Sequence, residues 1–271
     1  MHINEKKCKM MLFLLRKSFL TQKMVSMKIP TAPFILSFIA TSAALAQTPN
    51  PAGAEASGKP LPVSGWMVIG DKTQVFGPKE EDGEIVFGGE GFGDKGKNEA
   101  AFFPKTELAE GDSLEFSAKV TFSGVSGMGN FRFGIYQKRS KDHPRGWTGY
   151  TAYAGIDKKF PKGSLFASDA GNDINFDTST NNVLAESGVP FKNVKDGTYL
   201  ITMKLTRSAA GIECEASMTV DGDPNAMLLR YTGSDASPAS TSFDALGFST
   251  HQVLSTDSIA FRDVSVSLNI P

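Results

Sequence analysis

The sequence predicts an all-β protein built as a sandwich of two antiparallel sheets. Apolar and polar residues alternate strictly from Ser113 to Ser123, and again in two runs between Gly197 and Asp223. These two runs are joined by a short turn that ends at Gly211, so they predict a long hairpin with one apolar face. Because such a hairpin is not stable alone in water, other strands have to cover its apolar side. The 20 phenylalanines fit a core of that kind.

Length and charge limit the possible classes of function. The 271 residues, of which 40% are hydrophobic and 21% charged, are enough for one large β domain. The formal net charge is −1, which favours neither a nucleic-acid backbone nor an anionic membrane surface as a partner. We therefore expect no nucleic-acid partner.

Residues 1–46 are predicted to be an N-terminal extension and a signal peptide. From Met27 the chain has a positive residue, then an apolar run, then small residues that end at Ala46 before Gln47. This order is typical of a secretory signal cleaved after Ala46. An uncleaved membrane anchor is the alternative, but Pro30 and Pro33 interrupt the apolar run. The mature protein is thus predicted to be secreted or periplasmic, without a membrane contact after cleavage.

The next segment, residues 47–62, is predicted to be a disordered linker. It is rich in Pro, Ala, Gly and Ser and has no apolar period. Residues 63–271 then form the sandwich domain. Within that domain Cys214 is the lone cysteine, and it lies on the apolar face of the hairpin. We therefore expect a buried thiol and no disulfide.

The strands of the first half follow one another with polar loops between them. Short strands are predicted at residues 66–69, 84–87 and 100–103, followed by the strand from Ser113 to Ser123. Asn130 to Lys138 repeats the alternation and directs Phe133 inward. We predict that these last two strands are adjacent and buried.

The second half contains a small-residue strand and an irregular final strand. Trp147 to Gly155 is rich in glycine and alanine, which leaves room for a ligand against the sheet. In the final strand, residues 258–270, the apolar residues change phase after Phe261. A β-bulge at Arg262-Asp263 would return all of them to the core.

A polar loop from Ser168 to Asn182 suggests a metal site. It carries Asp169, Asp173 and Asp177, which are hard oxygen ligands at close spacing. A structural calcium ion is one interpretation, and a plain loop in which Asp and Asn favour turns is the other. No other cofactor is expected.

Several stretches together resemble a known superfamily. They are GDSLEFSAKVTF, NFRFGIYQ, the GTYLITMKLTR hairpin strand with GIECEASMTVDGD, DALGFSTH and STDSIAFRDVSVSL. The pattern resembles the concanavalin A-like lectins and glucanases, and more narrowly their bacterial LamG-like members. The resemblance covers about residues 63–270 and implies a jelly-roll sandwich with one concave sheet, on which glycan is commonly bound.

A candidate ligand site lies on the outward face of the strand from Asn130 to Lys138. Arg132 and Tyr136 share this face, and Gly134 between them would leave a gap for a sugar ring. The predicted ligand-binding residues are Arg132, Tyr136, Trp147 and Tyr150, with His251 and Gln252 at the rim. The alternative is that Arg132 forms an exposed ion pair with a carboxylate such as Glu115.

The sequence contains no catalytic signature. The Glu-x-Asp-x-x-Glu run of related hydrolases is absent, and Glu213 and Glu215 fit a solvated face better than a retaining pair. The resemblance to alginate lyases offers Arg132 and Tyr136, but His251 and Gln252 stand in the reverse of the lyase order.

Three function classes follow. The first is a secreted carbohydrate-binding protein that recognises an extracellular polysaccharide or glycoconjugate on the concave sheet. The second is a polysaccharide lyase or glycoside hydrolase of the same fold, so an enzyme activity stays open. The third is a structural or adhesive envelope protein. Aromatic residues and a charged donor without a paired acid favour the first class.

Overall fold

The computed structural model describes residues 58–70, 74–89, 92, 97–127, 129–139, 146–155, 164–168, 182–186, 192–221, 223–252 and 254–271. Fifteen strands lie in these ranges: β1 (Lys59–Leu61), β2 (Ser64–Val68), β3 (Lys79–Glu81), β4 (Glu84–Gly88), β5 (Asn98–Glu107), β6 (Ser113–Ser123), β7 (Gly129–Gln137), β8 (Thr148–Gly155), β9 (Ser164–Ser168), β10 (Asn182–Glu186), β11 (Gly197–Ser208), β12 (Gly211–Val220), β13 (Asp223–Asp235), β14 (Ser242–Gln252) and β15 (Ser258–Asn269). The described ranges include no helix with the length and apolar character needed to cross a membrane. The predicted signal peptide lies outside the described residues.

The strands form two antiparallel sheets. The eight-stranded sheet has the order β13-β12-β11-β6-β15-β4-β3, and β1 pairs with β15 beside this path. The seven-stranded sheet has the order β10-β9-β8-β7-β14-β5-β2. Between β5 and β7, and again between β13 and β15, the chain passes from one sheet to the other and back. The predicted all-β, two-sheet antiparallel jelly-roll sandwich is confirmed.

The predicted long hairpin is present. Its strands β11 and β12 pair from Tyr199 with Val220 to Ser208 with Gly211. Every second side chain of β11 is buried from Tyr199 to Leu205, because the apolar residues alternate with period two. Cys214 in β12 is buried and forms no disulfide.

The folded body begins earlier than the sequence predicts. Residues 59–61 lie inside the predicted linker, yet they form β1 and pair with Leu268, Ser267 and Val266 of β15. The sequence did not predict this strand because the segment is rich in small residues and proline, and Pro60 lies within the strand itself. Proline is tolerated here because β1 pairs with a single neighbour and has an open edge.

The predicted adjacency of β6 and β7 is wrong. β6 pairs with β11 and β15 in the eight-stranded sheet, whereas β7 pairs with β8 and β14 in the seven-stranded sheet. The two strands instead face each other across the core, where the rings of Phe122 and Phe131 meet edge to face with their centroids 5.0 Å apart. Phe133 is fully buried, as predicted.

The predicted bulge in the last strand is confirmed. The register of β15 against β6 shifts between Arg262 and Ser265, and Asp263 has a φ of 52°. The extra residue returns Val266 to the core after Ile259 and Phe261, which are buried on the other side of the shift.

Candidate functional site

A row of polar side chains crosses the outer face of the seven-stranded sheet. The register places Tyr153 of β8 beside Arg132 of β7, Arg132 beside Ser249 of β14, and Ser249 beside Asn98 of β5. Their neighbours in sequence, such as Phe133 and Phe248, face the core. We call Tyr153, Arg132, Ser249 and Asn98 the polar row. Its members are at most 8% exposed.

Arg132 is the charged centre of this row. Its Nε donates a hydrogen bond of 3.0 Å to Oδ1 of Asn130, and its Cζ lies 5.5 Å from the centre of the Tyr153 ring. Arg132 is 1% exposed and Asn130 is fully buried. Nδ2 of Asn130 has no hydrogen-bond partner among the described residues. A planar cation is thus held in place beside an amide donor that the described chain does not satisfy.

The predicted gap at Gly134 is filled. The Tyr136 side chain lies back over Gly134, where an added Cβ would come within 2.7 Å of the tyrosine hydroxyl. That hydroxyl shares a hydrogen bond of 2.7 Å with Oγ1 of Thr151. Burial raises the pKa of Tyr136 well above its usual range, so the phenol is neutral. Tyr136 therefore shares the outer face with Arg132, but it occupies the space predicted for a sugar ring.

Trp147 belongs to a small apolar cluster at the end of this face. Its ring centroid lies 6.1 Å from that of Tyr136 and 6.2 Å from that of Phe102. The ammonium of Lys138 lies 4.4 Å from the centre of the Phe102 ring. Trp147 is 2% exposed, so it packs against the sheet and does not present an open aromatic surface.

Tyr150 lies on the other face of the sheet, and its predicted place beside Arg132 is wrong. It pairs with Ile135 and belongs to the main core. Its hydroxyl donates a hydrogen bond of 3.0 Å to Oδ2 of Asp235. The physical reason is the two-residue period of a strand, which directs Tyr150 and Tyr153 to opposite faces. Tyr153 is the tyrosine of β8 that accompanies Arg132.

The rim residues are placed by their backbone only. In β14, His251 pairs with Asn130 and Gln252 pairs with Gly129, so both are next to the start of β7. Their side chains are outside the described part of the structure. Their predicted place at the rim of the site and their role in binding stay predictions.

The predicted metal ligands Asp169, Asp173 and Asp177 also fall outside the described residues. In the ranges that the structure describes, no group of three His, Cys, Asp or Glu side chains could hold a metal ion. The structural calcium ion stays a prediction for the loop of residues 168–182.

The carboxylates considered for other roles belong to the eight-stranded sheet. Glu115 forms an ion pair of 3.0 Å with Lys204, so its predicted pairing with Arg132 is wrong. β6 and β7 lie in different sheets, which separates the two side chains. Glu213 and Glu215 are exposed on the outer face of that same sheet, opposite Thr206 and Lys204 of β11.

One buried carboxyl was not predicted. Glu99 of β5 pairs with Phe248 and Val68 and faces the core, where it is fully buried. Neither side-chain oxygen has a hydrogen-bond partner in the described ranges apart from the residue's own backbone. Burial raises the pKa of Glu99 from 4.5 to about 8, while its own backbone and Lys97 lower it by less.

The polar partners of Arg132 were also missed, although the sequence carries a signal for one of them. Asn130 stands two residues before Arg132, so it has to share its face in a regular strand. Tyr153 and Ser249 reach the row only through strand pairing, which a single sequence does not reveal. The site therefore keeps the predicted Arg132, but the side chains around Arg132 differ from the predicted ones.

Solved structures of lectins and carbohydrate recognition domains are among those similar to this chain. No family model matches the sequence, and no curated protein matches it. The potassium-bound carbohydrate recognition domain of Emp46p is similar with a TM-score of 0.48 and 13% identity, over 75% of this chain and 87% of that one. Basic winged bean lectin with Tn-antigen has a TM-score of 0.42 and 10% identity, over 78% and 100%. A legume lectin-like domain from Entamoeba histolytica has a TM-score of 0.41 and 12% identity, over 76% of this chain and 90% of that one.

These solved structures are carbohydrate recognition domains and lectins, and at identities of 10–13% and TM-scores below 0.5 the resemblance of this chain to the concanavalin A-like superfamily stays a prediction. The narrower likeness to LamG-like domains stays a prediction.

Proposed function

We propose that this chain is a carbohydrate-binding protein whose ligand, a polysaccharide or glycoconjugate, binds on the outer face of the seven-stranded sheet around Arg132. The observation that carries the proposal is the buried Arg132 itself. A cation on an outward face contributes nothing to the core, yet it loses its hydration when it is buried. A desolvation cost of this kind is characteristic of binding sites, in which the charged group interacts with a ligand.

The geometry around Arg132 suits a sugar. The guanidinium is a planar group with several N–H donors, and Asn130 and Tyr153 fix its orientation. Nδ2 of Asn130, which has no hydrogen-bond partner among the described residues, adds a second donor that can bind a ring or hydroxyl oxygen. Ser249, beside Arg132, carries a hydroxyl that donates to the backbone carbonyl of Thr250 at 3.2 Å and can also accept.

The burial of Arg132 limits the access of a glycan to this side chain. Because Arg132 is 1% exposed, a glycan reaches it only when the outer face opens. The apparent affinity then equals the intrinsic affinity reduced by the fraction of molecules that are open. We expect slow association compared with a preformed open groove.

The residues around Arg132 do not favour catalysis. Tyr136 is one of the residues that a lyase would use, but its hydroxyl is bonded to Thr151 and its pKa is raised by burial. The exposed pair Glu213 and Glu215 lies on the other sheet. We therefore expect binding without release of reducing ends or of unsaturated products.

The test is a glycan array with the purified mature protein, followed by titration of the best ligand against Arg132→Lys. Lysine keeps the charge and loses the planar fork, so we expect affinity to fall at least about tenfold. Lys204→Gln, on the outer face of the eight-stranded sheet, is the matched control and should bind like the wild type. Unchanged affinity in a folded Arg132→Lys variant would contradict the proposal.

We also propose that the protein acts outside the cytoplasm after cleavage behind Ala46. The support is the order of positive, apolar and small residues from Met27 to Ala46. N-terminal sequencing of the exported protein should begin at Gln47. A mature form that still contains Met27 would contradict this part.

A further inference from the structure

An open surface depression with a volume of about 450 Å³, called the cavity below, lies where the connection from β6 to β7 meets the segment before β11. Residues 125–127 form one wall and residues 193–196 form the other. Its volume is within the range of small-molecule sites in proteins. It is separate from the polar row, and none of its residues was singled out from the sequence.

Hydrogen bonds hold both walls in place. Ser126 and Ser255 exchange two backbone hydrogen bonds, of 2.9 and 3.0 Å. The N–H of Val125 donates 2.6 Å to Oδ1 of Asp196, which ties one wall to the other. The hydroxyl of Tyr199 accepts from the N–H of Lys195 and donates to its carbonyl, both at 3.0 Å. A ligand would therefore meet a cavity that is already formed, which lowers the entropic cost of binding.

The lining combines an apolar floor with groups that accept hydrogen bonds. Val194 is buried at 2% exposure. Oδ1 of Asn193 is buried and has no hydrogen-bond partner within the described part of the chain. Asp196 accepts the Val125 N–H with one carboxylate oxygen, and its other oxygen can accept a hydrogen bond from a ligand. A buried acceptor without a donor is energetically unfavourable, so binding of a ligand hydroxyl that reaches it is favoured.

The cavity lies at the same end of the sheet as Asn130. Ser126 precedes the first residue of β7 by three positions, and its partner Ser255 follows the end of β14 by three. At this end the register pairs Asn130 with His251. A chain-like ligand on the outer face around Arg132 could therefore continue toward the cavity.

We propose that this cavity is a second carbohydrate subsite, which takes one polyhydroxylated sugar unit whose hydroxyl groups donate to Asn193 and Asp196. The proposal rests on the proposed glycan-binding function and adds to it a place for one sugar unit. The ligand class follows from the lining, since two oxygen acceptors, the hydroxyl of Ser126 and the ammonium of Lys195 match a group that both donates and accepts.

The test is NMR titration of the isotope-labelled full-length protein with single sugars: glucose, galactose, mannose, N-acetylglucosamine and glucuronate. We expect at least one sugar to shift the backbone amide signals of Ser126, Gly127 and Lys195. Ser126→Trp fills the cavity and should abolish these shifts. Asp196→Asn keeps the acceptor for the Val125 N–H but loses the charge, so it should weaken binding about tenfold with the fold intact.

The outcomes separate this subsite from the proposed function. Shifts around Arg132 with none at residues 125–127 and 193–196 would overturn the subsite and leave glycan binding in place. Shifts at the cavity that persist in Ser126→Trp would also overturn it. Cavity shifts that Ser126→Trp removes would support it, even where Arg132→Lys binds the array glycan like the wild type. No shift with any of the five sugars would overturn it as well.

Discussion

The hydroxyl of Tyr231 donates a hydrogen bond of 2.7 Å to the backbone carbonyl of Tyr153. Tyr231 belongs to β13, the edge strand of the eight-stranded sheet, and Tyr153 belongs to an inner strand of the other sheet. The bond therefore ties the two sheets together on one side of the sandwich. It also anchors the backbone of the residue whose ring lies under the Arg132 guanidinium.

Tyr231→Phe tests this connection. Phenylalanine keeps the packing of a side chain that is 2% exposed and removes only the hydroxyl. We expect the free energy of unfolding to fall by about 1–2 kcal/mol in urea titrations. Ser117→Ala, which removes an exposed 2.9 Å hydrogen bond to Ser265, is the control and should cost less than about 0.5 kcal/mol. Equal losses in both variants would show that the bond does not join the sheets.

Phe133→Ala tests the core between the sheets. Phe133 is fully buried, and its ring stacks on that of Phe131 with centroids 6.0 Å apart. We expect a loss of about 3–5 kcal/mol in the free energy of unfolding, because the substitution leaves a cavity. Ile270→Ala at the exposed chain end is the control, since Ile270 is 70% exposed. A loss below about 1 kcal/mol for Phe133→Ala would contradict the observed packing.

Glu99→Gln tests the buried carboxyl through the pH dependence of stability. With a pKa of about 8 in the folded chain, against 4.5 as the ordinary value, Glu99 keeps its proton at neutral pH when folded and releases it on unfolding. The contribution of Glu99 to stability is therefore fully present below about pH 4.5 and is lost as the pH rises toward 8, by up to about 1.4 kcal/mol per pH unit.

The glutamine variant should lose this slope. Urea unfolding at several pH values between about 5 and 8 measures it, and the exposed Glu107→Gln is the matched control that keeps the slope. If Glu99→Gln and Glu107→Gln have the same pH dependence as the wild type, Glu99 is ionised in the fold.

Substitutions at Asp263 test the bulge in β15. Its φ of 52° lies in the left-handed region, which β-branched residues adopt only with strain. Asp263→Val should cost about 1–2 kcal/mol, whereas Asp263→Gly should be near neutral. The glycine variant also loses the 3.2 Å ion pair with Lys119, but that pair is exposed and contributes little. Melting temperatures compare the two, and a more stable valine variant would argue against the bulge.

Alternation within one strand was enough to predict the local structure. The hairpin of β11 and β12, the two faces of β6 and the bulge near Asp263 all follow from the period of apolar residues. The pairing of strands did not follow, because two strands with the same pattern look alike whether they are neighbours or face each other. That is why β6 and β7 were expected to be adjacent.

The candidate site was predicted in part for the same reason. Arg132 was identified because the alternation of the strand places it on the outward face with Gly134 and Tyr136. Tyr153 and Ser249 come from neighbouring strands, so only the register brings them to Arg132. Glu99 was missed because a lone glutamate in a strand is normally exposed, and only the packing of β2 and β14 beside it encloses the side chain.

The pairing of β1 with β15 brings the first and last strands of the domain side by side. Gly58 lies so close to Asn269 that a Cβ at this glycine would collide with the asparagine side chain. The entry and exit of the folded body are therefore neighbours at one edge. A domain whose two ends lie side by side can be inserted into a surface loop of another protein, because both connections start at the same edge of the sheet.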